Sequence, residues 1–294
     1  RCEFNQRRGR VSYLDRINAI RNFDPAAYLP FMVADRRVGL IRRDFVVNLG
    51  DYGDVLQIND DAVSMNPDLV DPAARTAAMA PVLDDMRVRG LVSGWRNEPY
   101  AVNERWGTAP LFQMERAAVP LFGVEGYGVH VNGFVRDGDS LKMWIGKRSL
   151  TKPTAPGKLD QIVAGGLPAG MGVMDNLVKE CGEEADIPEA VARKAWPVSS
   201  ISYCTERAEG LRRDVLFNYD LELPADFQPR NTDGEIEEFY LWSIEEVMER
   251  VQQTDDFKFN CGVIVIDFLI RRGFIGPDHA DYVEIQRGMH TGRS

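Results

Sequence analysis

Residues 163–187 read VAGGLPAGMGVMDNLVKECGEEADI, and this stretch decides how the whole chain is interpreted. Two adjacent glycines, Gly165 and Gly166, form a predicted turn ahead of a helix predicted over residues 173–185. Spacings of three and four place three carboxylates on one face of that helix, namely those of Glu180, Glu183 and Glu184. Like charges at these spacings repel one another and do not stabilise a helix.

Two interpretations of this acidic face follow from the residues alone. A solvated surface is the more common fate of clustered glutamates. The alternative is a cage for a hard divalent cation, because Mg²⁺ prefers carboxylate and water oxygens as ligands.

The stretch resembles the Nudix box, the signature of the Nudix (MutT-like) hydrolases, usually written G-x5-E-x7-R-E-U-x-E-E-x-G-U with U aliphatic. When the pattern starts at Gly165, the family's metal-binding acids fall on the three glutamates of the helix. Met171 stands at the first Glu of the pattern, Lys179 at the Arg and Asp186 at the second Gly. The resemblance therefore implies an intact metal face on an altered scaffold.

The altered positions have a physical interpretation. In the family the first Glu and the Arg form an ion pair that holds the loop against the helix, so Met171 and Lys179 change the scaffold. Asp186 stands where a glycine would cap the helix in the left-handed conformation, which Asp tolerates better than most residues. Gly182 inside the helix costs about 1 kcal/mol relative to Ala.

Strands and helices are predicted on both sides of the box. The predicted strands cover residues 128–135, 141–148, 159–164, 198–204, 214–223 and 236–242. The last two helices are predicted over residues 244–253 and 259–272. The resemblance implies an α+β fold, the Nudix α/β/α sandwich with a mixed sheet, over residues 121–294.

The first 120 residues differ in pattern and are predicted to form a smaller N-terminal α+β domain, residues 1–120. Its predicted elements are a helix over 11–22, strands over 31–34, 38–41, 45–49 and 55–58, and a helix over 72–86. Asp71 and Pro72 favour the start of that last helix. Three roles stay open for this domain: covering the pocket, selecting the substrate or mediating a homodimer.

The combination of VAGG, VKECGEEADIP and WRNEPYAV (residues 95–102) with residues 114–135 resembles the thiamin pyrophosphokinase-related Nudix subfamily, which carries an extra N-terminal domain. This implies a divalent-metal-dependent hydrolase that cleaves a diphosphate linkage in a small organic diphosphate. Thiamine diphosphate or an oxidised analogue is the expected substrate. Mg²⁺, with Mn²⁺ as the alternative, is expected on the three helix glutamates, which also count as catalytic.

Further site residues are predicted outside the box. An acidic loop before the last strand often supplies a base or metal ligand in the family, and Glu235 is the first choice here, with Glu237 second. Lys147, Arg148, Gly165 and Gly166 are the candidates for substrate phosphate. A second basic group consists of Arg207, Arg212 and Arg213. For each basic residue taken alone, surface solubility is the ordinary role.

Composition narrows the function classes. The 294-residue chain is 44% hydrophobic, with 35 basic and 45 acidic residues and a net charge of −10, so it repels nucleic acid and anionic membranes. The longest apolar stretch, residues 261–270, is too short to span a bilayer and predicts a buried helix. Four scattered cysteines without a CxxC pair favour a reducing, cytoplasmic location.

Two competing hypotheses stay open. A non-catalytic Nudix domain that binds a metabolite would account for Met171 and Lys179. Isomerase chemistry on an isoprenoid diphosphate would need a cysteine at the substrate, for which Cys204 is available, although a buried strand position is its ordinary interpretation.

Overall fold

The computed structural model describes residues 12–152 and 154–290. Its N-terminal part contains two helices and six strands. In chain order these are α1 (Tyr13–Asn18), β1 (Tyr28–Val33), β2 (Arg36–Arg42), β3 (Leu56–Ile58), β4 (Val63–Met65), α2 (Pro72–Val88), β5 (Pro99–Val102) and β6 (Phe112–Glu115).

The C-terminal part contains seven strands and five helices. They are β7 (Glu125–Asp137), β8 (Ser140–Arg148), β9 (Leu159–Gln161), β10 (Val163–Gly166), α3 (Val173–Ala185), α4 (Glu189–Ala192), β11 (Trp196–Arg207), β12 (Gly210–Glu222), β13 (Ile236–Ser243), α5 (Ile244–Gln253), α6 (Cys261–Arg271) and α7 (Tyr282–Gly288).

The strands form two sheets and a ribbon. The larger, seven-stranded sheet has the order β11-β12-β7-β8-β13, with β10 paired to β7 and β9 paired to β8. It is mixed, because β12 runs parallel to β7 while the other pairs are antiparallel. The smaller sheet has the order β2-β1-β4-β3, and β5 and β6 form an antiparallel ribbon.

Helices cover both faces of the larger sheet. Alternation along β7 sends Val131 towards Leu177 of α3 and Phe134 towards Phe268 of α6, in two separate apolar clusters. The result is the predicted α/β/α sandwich. Residues 261–270 of helix α6 are all buried, Asp267 included, as the apolar sequence around that residue predicts.

The N-terminal part has a core of its own, in which Phe31 packs against Phe112 and Phe122. Helix α1 is an exception, because Tyr13 and Ile17 pack with α6 and α7 of the larger unit. The two parts meet at backbone level, where the Leu211 N–H of β12 donates to the Pro120 carbonyl at 2.9 Å.

Most predicted elements are present, with differences at their ends. Helix α3 has the predicted bounds, and Asp186 caps it with φ 53° and ψ 35°, the left-handed conformation expected there. The prediction of a glycine turn is wrong, because Gly165 and Gly166 end strand β10. The residues predicted as a strand over 45–49 lie instead at a 3₁₀ helix, Val46–Tyr52, in which only Leu49 is buried. The helix predicted over 11–22 is shortened to α1, and Val11 lies outside the described residues.

Within the described ranges, no helix combines the length and the apolar composition needed to cross a bilayer.

Candidate active site

A polar cavity of about 380 Å³ opens between strand β10, helix α3 and several other segments of the chain. Its acidic lining residues are Glu98, Glu180, Glu183, Asp233 and Glu235. Two of its basic residues, Arg96 and Arg116, precede the large sheet in sequence. Five more basic residues line it from the sandwich, namely Arg148, Lys152, Lys179, Arg212 and Lys258. A chain of net charge −10 thus gathers positive charge in one cavity, as anion binding requires.

Helix α3 presents its acids to strand β10 because residue 165 has no side chain. A Cβ on Gly165 would lie 2.2 Å from Cδ of Glu180. Burial raises the pKa of Glu180, against the opposing influence of Lys179. The Lys179 Nζ lies 3.2 Å from Oε1 of Glu180 and 2.7 Å from Oε2 of Glu183. The carboxylates of Glu180 and Glu183 therefore converge on one positive charge, the ammonium of Lys179.

Glu184 lies behind this pair and is only 3% exposed. Its Oε2 accepts the backbone N–H of Ala164 at 2.7 Å, which ties the helix to strand β10. Burial raises the pKa of Glu184 to about 8, although this hydrogen bond favours the ionised form. A cation bound close to Glu184 would therefore stabilise the ionised form of its carboxyl group.

Glu235 enters the cavity from the loop before β13. It forms an ion pair with Lys152, and its Oε1 lies 3.8 Å from Nη1 of Arg96. Burial, together with Arg148, lowers the pKa of Lys152 to about 8. Glu237, the second choice from the sequence, pairs with Lys147 at 3.2 Å and does not line the cavity.

The predicted phosphate-binding residues are separated by the structure. Gly165, Gly166 and Arg148 line the cavity, whereas Lys147 lies in a different, shallow pocket beside Tyr240 and Trp242. The Arg148 guanidinium is engaged by Asp160 at 2.8 Å and by the carbonyls of residues 154 and 155, so it anchors the loop that carries Lys152.

The carboxylates of the cavity suit a divalent cation. The acidic side chains offer carboxylate oxygens, which are the ligand atoms that hard cations prefer. The Lys179 ammonium contacts Glu180 and Glu183 at once, so the two carboxylates can share one positive charge. Residues that fit a hard cation are therefore present on α3.

A second cluster is less suited to a metal. Within the described part of the chain, His130, Asp160 and Cys261 form a buried group whose ligand atoms lie within 4.8 Å of one another. Although burial opposes it, Lys258 and Arg148 hold the pKa of Asp160 below its usual range, and the Cys261 thiol donates to that carboxylate at 2.7 Å. These contacts already balance the negative charge of Asp160, the one carboxylate of the cluster, so we assign the cluster a structural role.

Sequence reasoning missed the contributions of Arg96, Glu98 and Arg116 from the N-terminal part, of Lys152 from the loop before β9, and of Lys258, which precedes α6. Arg96 and Glu98 lie in the segment WRNEPYAV, and Arg116 lies in residues 114–135; both segments carry the subfamily resemblance, but neither assigns these residues a role. Lys258 lies in no motif.

Comparison with known proteins identifies the family. The chain is 44% identical over 274 residues to Nudix hydrolase 20, chloroplastic, of Arabidopsis thaliana, covering 90% of this chain and 73% of the relative. It is 44% identical over 268 residues to Nudix hydrolase 24, chloroplastic, of the same plant, with the same shares covered. Residues 11–126 match a family described as a domain of unknown function, DUF4743.

A solved MutT protein from Methanosarcina mazei Go1 covers 52% of this chain and 96% of its own, at 14% identity and a TM-score of 0.40, which is too weak to carry an argument. The two named relatives place this α+β protein in the class of hydrolases. The chain belongs to the Nudix hydrolase family.

The resemblance drawn from the box is therefore confirmed, as are the α+β fold class and the assignment as a hydrolase. Nudix hydrolases generally use divalent metals, in line with the oxygen donors on α3. The expectation of a cytoplasmic location is wrong, because both plant relatives are named chloroplastic. Its basis was the scatter of cysteines, which does not distinguish the cytoplasm from other reducing compartments.

Proposed function

We propose that this protein is a divalent-metal-dependent hydrolase that cleaves the diphosphate linkage of a small organic diphosphate, with thiamine diphosphate or an oxidised analogue as substrate. One observation carries the proposal. The acidic face of α3 and a set of basic side chains line the same cavity in a chain whose net charge is strongly negative.

In this proposal Glu180, Glu183 and Glu184 hold Mg²⁺, or Mn²⁺ in its place. The bound ion would offset charge on the phosphate oxygens and acidify water. The oxygen of a water molecule forms a bond to one phosphorus, the bridging P–O bond breaks, and a monophosphate leaves. Glu235 is the proposed acceptor of the proton from water, and the Lys152 ammonium beside it keeps its carboxylate in place.

The organic part of the substrate has a candidate compartment. A smaller space of about 90 Å³ shares Arg116, Gly165 and Gly166 with the main cavity and is lined by Tyr100 and Phe259. Aromatic faces suit a cationic ring such as a thiazolium, and Asp214 in the same wall would add a negative charge. Neither space is lined by Trp95, Trp106, Trp144 or Trp242.

A screen of the purified protein tests the proposal. The release of monophosphate products is measured by chromatography, with and without Mg²⁺, against thiamine diphosphate, its oxidised analogues, nucleotide sugars and dinucleoside polyphosphates. We expect metal-dependent release from thiamine-type diphosphates. Release from nucleotides alone would remove the thiamine assignment and leave the hydrolase. Light scattering of the same preparation tests the expected homodimer.

A second candidate function, binding without turnover, is favoured by one observation. Lys179 occupies the position between Glu180 and Glu183, and Met171 supplies no partner that would draw it away. This hypothesis expects diphosphates to bind in calorimetry while no compound of the panel releases phosphate at any Mg²⁺ concentration.

A further inference from the structure

Two arginines that precede the Nudix sandwich in sequence line the cavity of the proposed active site. Arg116 follows strand β6, and it lines the main cavity, the small inner compartment and an adjoining space of about 340 Å³. Arg96 lines the main cavity and the adjoining space. Arg116 therefore stands where the three spaces meet.

The position of Arg116 is fixed by the packing of β5 on β10. A Cβ on Gly166 would lie 1.7 Å from the hydroxyl oxygen of Tyr100 and 3.1 Å from Cζ of Arg116. The guanidinium lies over the Tyr100 ring, 5.6 Å from its centroid. The glycine thus lets the N-terminal ribbon bring a cation to the strand that faces the acidic helix.

The charge on Arg116 is only partly compensated. Among the described residues it forms one ion pair, which joins Nη1 to Oε2 of Glu98 at 2.7 Å, while 41% of its side chain remains accessible. Arg96 reaches Glu235 at the longer distance of 3.8 Å. A guanidinium has five N–H donors in a planar fork that matches phosphate oxygens, so both residues retain donors for an anion.

We propose that Arg116, assisted by Arg96, binds the phosphate groups of the substrate, and that Glu98 pairs with Arg116 in the free protein and competes with the substrate for it. This assignment rests on the proposed function, because it names the ligands of the same diphosphate. It gives the N-terminal part a role in substrate binding. Residues 121–294 alone then lack two phosphate ligands of the site.

The proposal is tested with the full-length chain and inorganic diphosphate, by titration calorimetry in EDTA so that neither metal nor turnover enters. Arg116→Gln is expected to weaken binding about tenfold or more, as for loss of a charge-assisted hydrogen bond. Arg105→Gln, an exposed arginine of the N-terminal part that lines none of the three spaces, is the matched control and is expected to bind as the wild type does.

Glu98→Gln separates binding from a structural role. If the Arg116–Glu98 pair only supports the fold, both variants weaken binding and lower the melting temperature. Our assignment expects opposite effects, with Glu98→Gln binding diphosphate several-fold more tightly because the competing carboxylate is gone. Equal affinity of wild type and Arg116→Gln, or a loss in Glu98→Gln, would overturn it.

A different result would contradict the hydrolase proposal, namely the absence of metal-dependent phosphate release by the wild type. If the wild type is active, KM for thiamine diphosphate should rise in Arg116→Gln with a smaller change in kcat. An unchanged KM would count against Arg116 as a phosphate ligand.

Discussion

At the scale of single residues, two glycines of β10 set the distances in the cavity. Gly165 makes room for Glu180, and Gly166 makes room for Tyr100. Sequence alone predicted both positions as close approaches to substrate. The structure shows close approaches to protein atoms, because the side chains of Glu180, Tyr100 and Arg116 pack against the strand.

Gly166→Ala is expected to lower stability and activity together, because the new methyl group forces Tyr100, and with it β5, away from β10. Gly182→Ala is the control. It lies within α3, a Cβ there meets no other atom within 4 Å, and we expect it to stabilise the protein by about 1 kcal/mol. Urea denaturation measures both changes, and a stable Gly166→Ala variant would contradict the packing described.

The buried Glu184 predicts how stability depends on pH when no metal is bound. Its pKa rises from 4.5 to about 8 on folding, so the folded state holds this proton more tightly. The contribution is complete below about pH 4.5 and is lost as pH rises towards 8. We therefore expect wild type to lose stability relative to Glu184→Gln between pH 5 and 8 in EDTA, as measured by denaturation. Parallel curves would show that the shift is absent.

At the scale of elements, periodicity and caps predict the helices well. The spacing of apolar residues gave α3 its correct bounds, and the aspartate at position 71 begins α2 by accepting the Ala74 N–H at 2.8 Å. A strand was predicted over residues 45–49 because valine favours strands. The segment forms a 3₁₀ helix instead, and Val47 is 80% exposed. Packing against neighbours, which a single sequence does not display, decides such short segments.

Removing the N-terminal cap of α2 should measurably lower the free energy of unfolding. Asp71→Ala is expected to destabilise the protein by about 1 kcal/mol, because the Ala74 N–H loses its acceptor. Asp68→Ala removes a nearby acid outside the cap and should cost less. A difference below the error of denaturant titration would argue against the capping bond.

At the scale of the whole molecule, the site is assembled from distant parts of the chain. The box and its acidic face were predictable because one continuous stretch of sequence carries them, with the three glutamates inside the 13 residues of α3. Arg96, Arg116, Lys152 and Lys258 were not predictable as one cluster. Their meeting depends on how the N-terminal ribbon docks on β10 and how the loop before β9 is anchored. Such long-range placement leaves no periodic signal in the sequence.

The central claim is that the acidic face of α3 holds the metal for diphosphate hydrolysis. Its most direct test compares Mg²⁺-dependent phosphate release by wild type, Glu183→Gln and the helix control Asp175→Asn, whose side chain is 69% exposed and outside the cavity. The account predicts that Glu183→Gln loses at least about 100-fold in kcat/KM while Asp175→Asn stays near wild type. Full metal-dependent turnover by Glu183→Gln would contradict it.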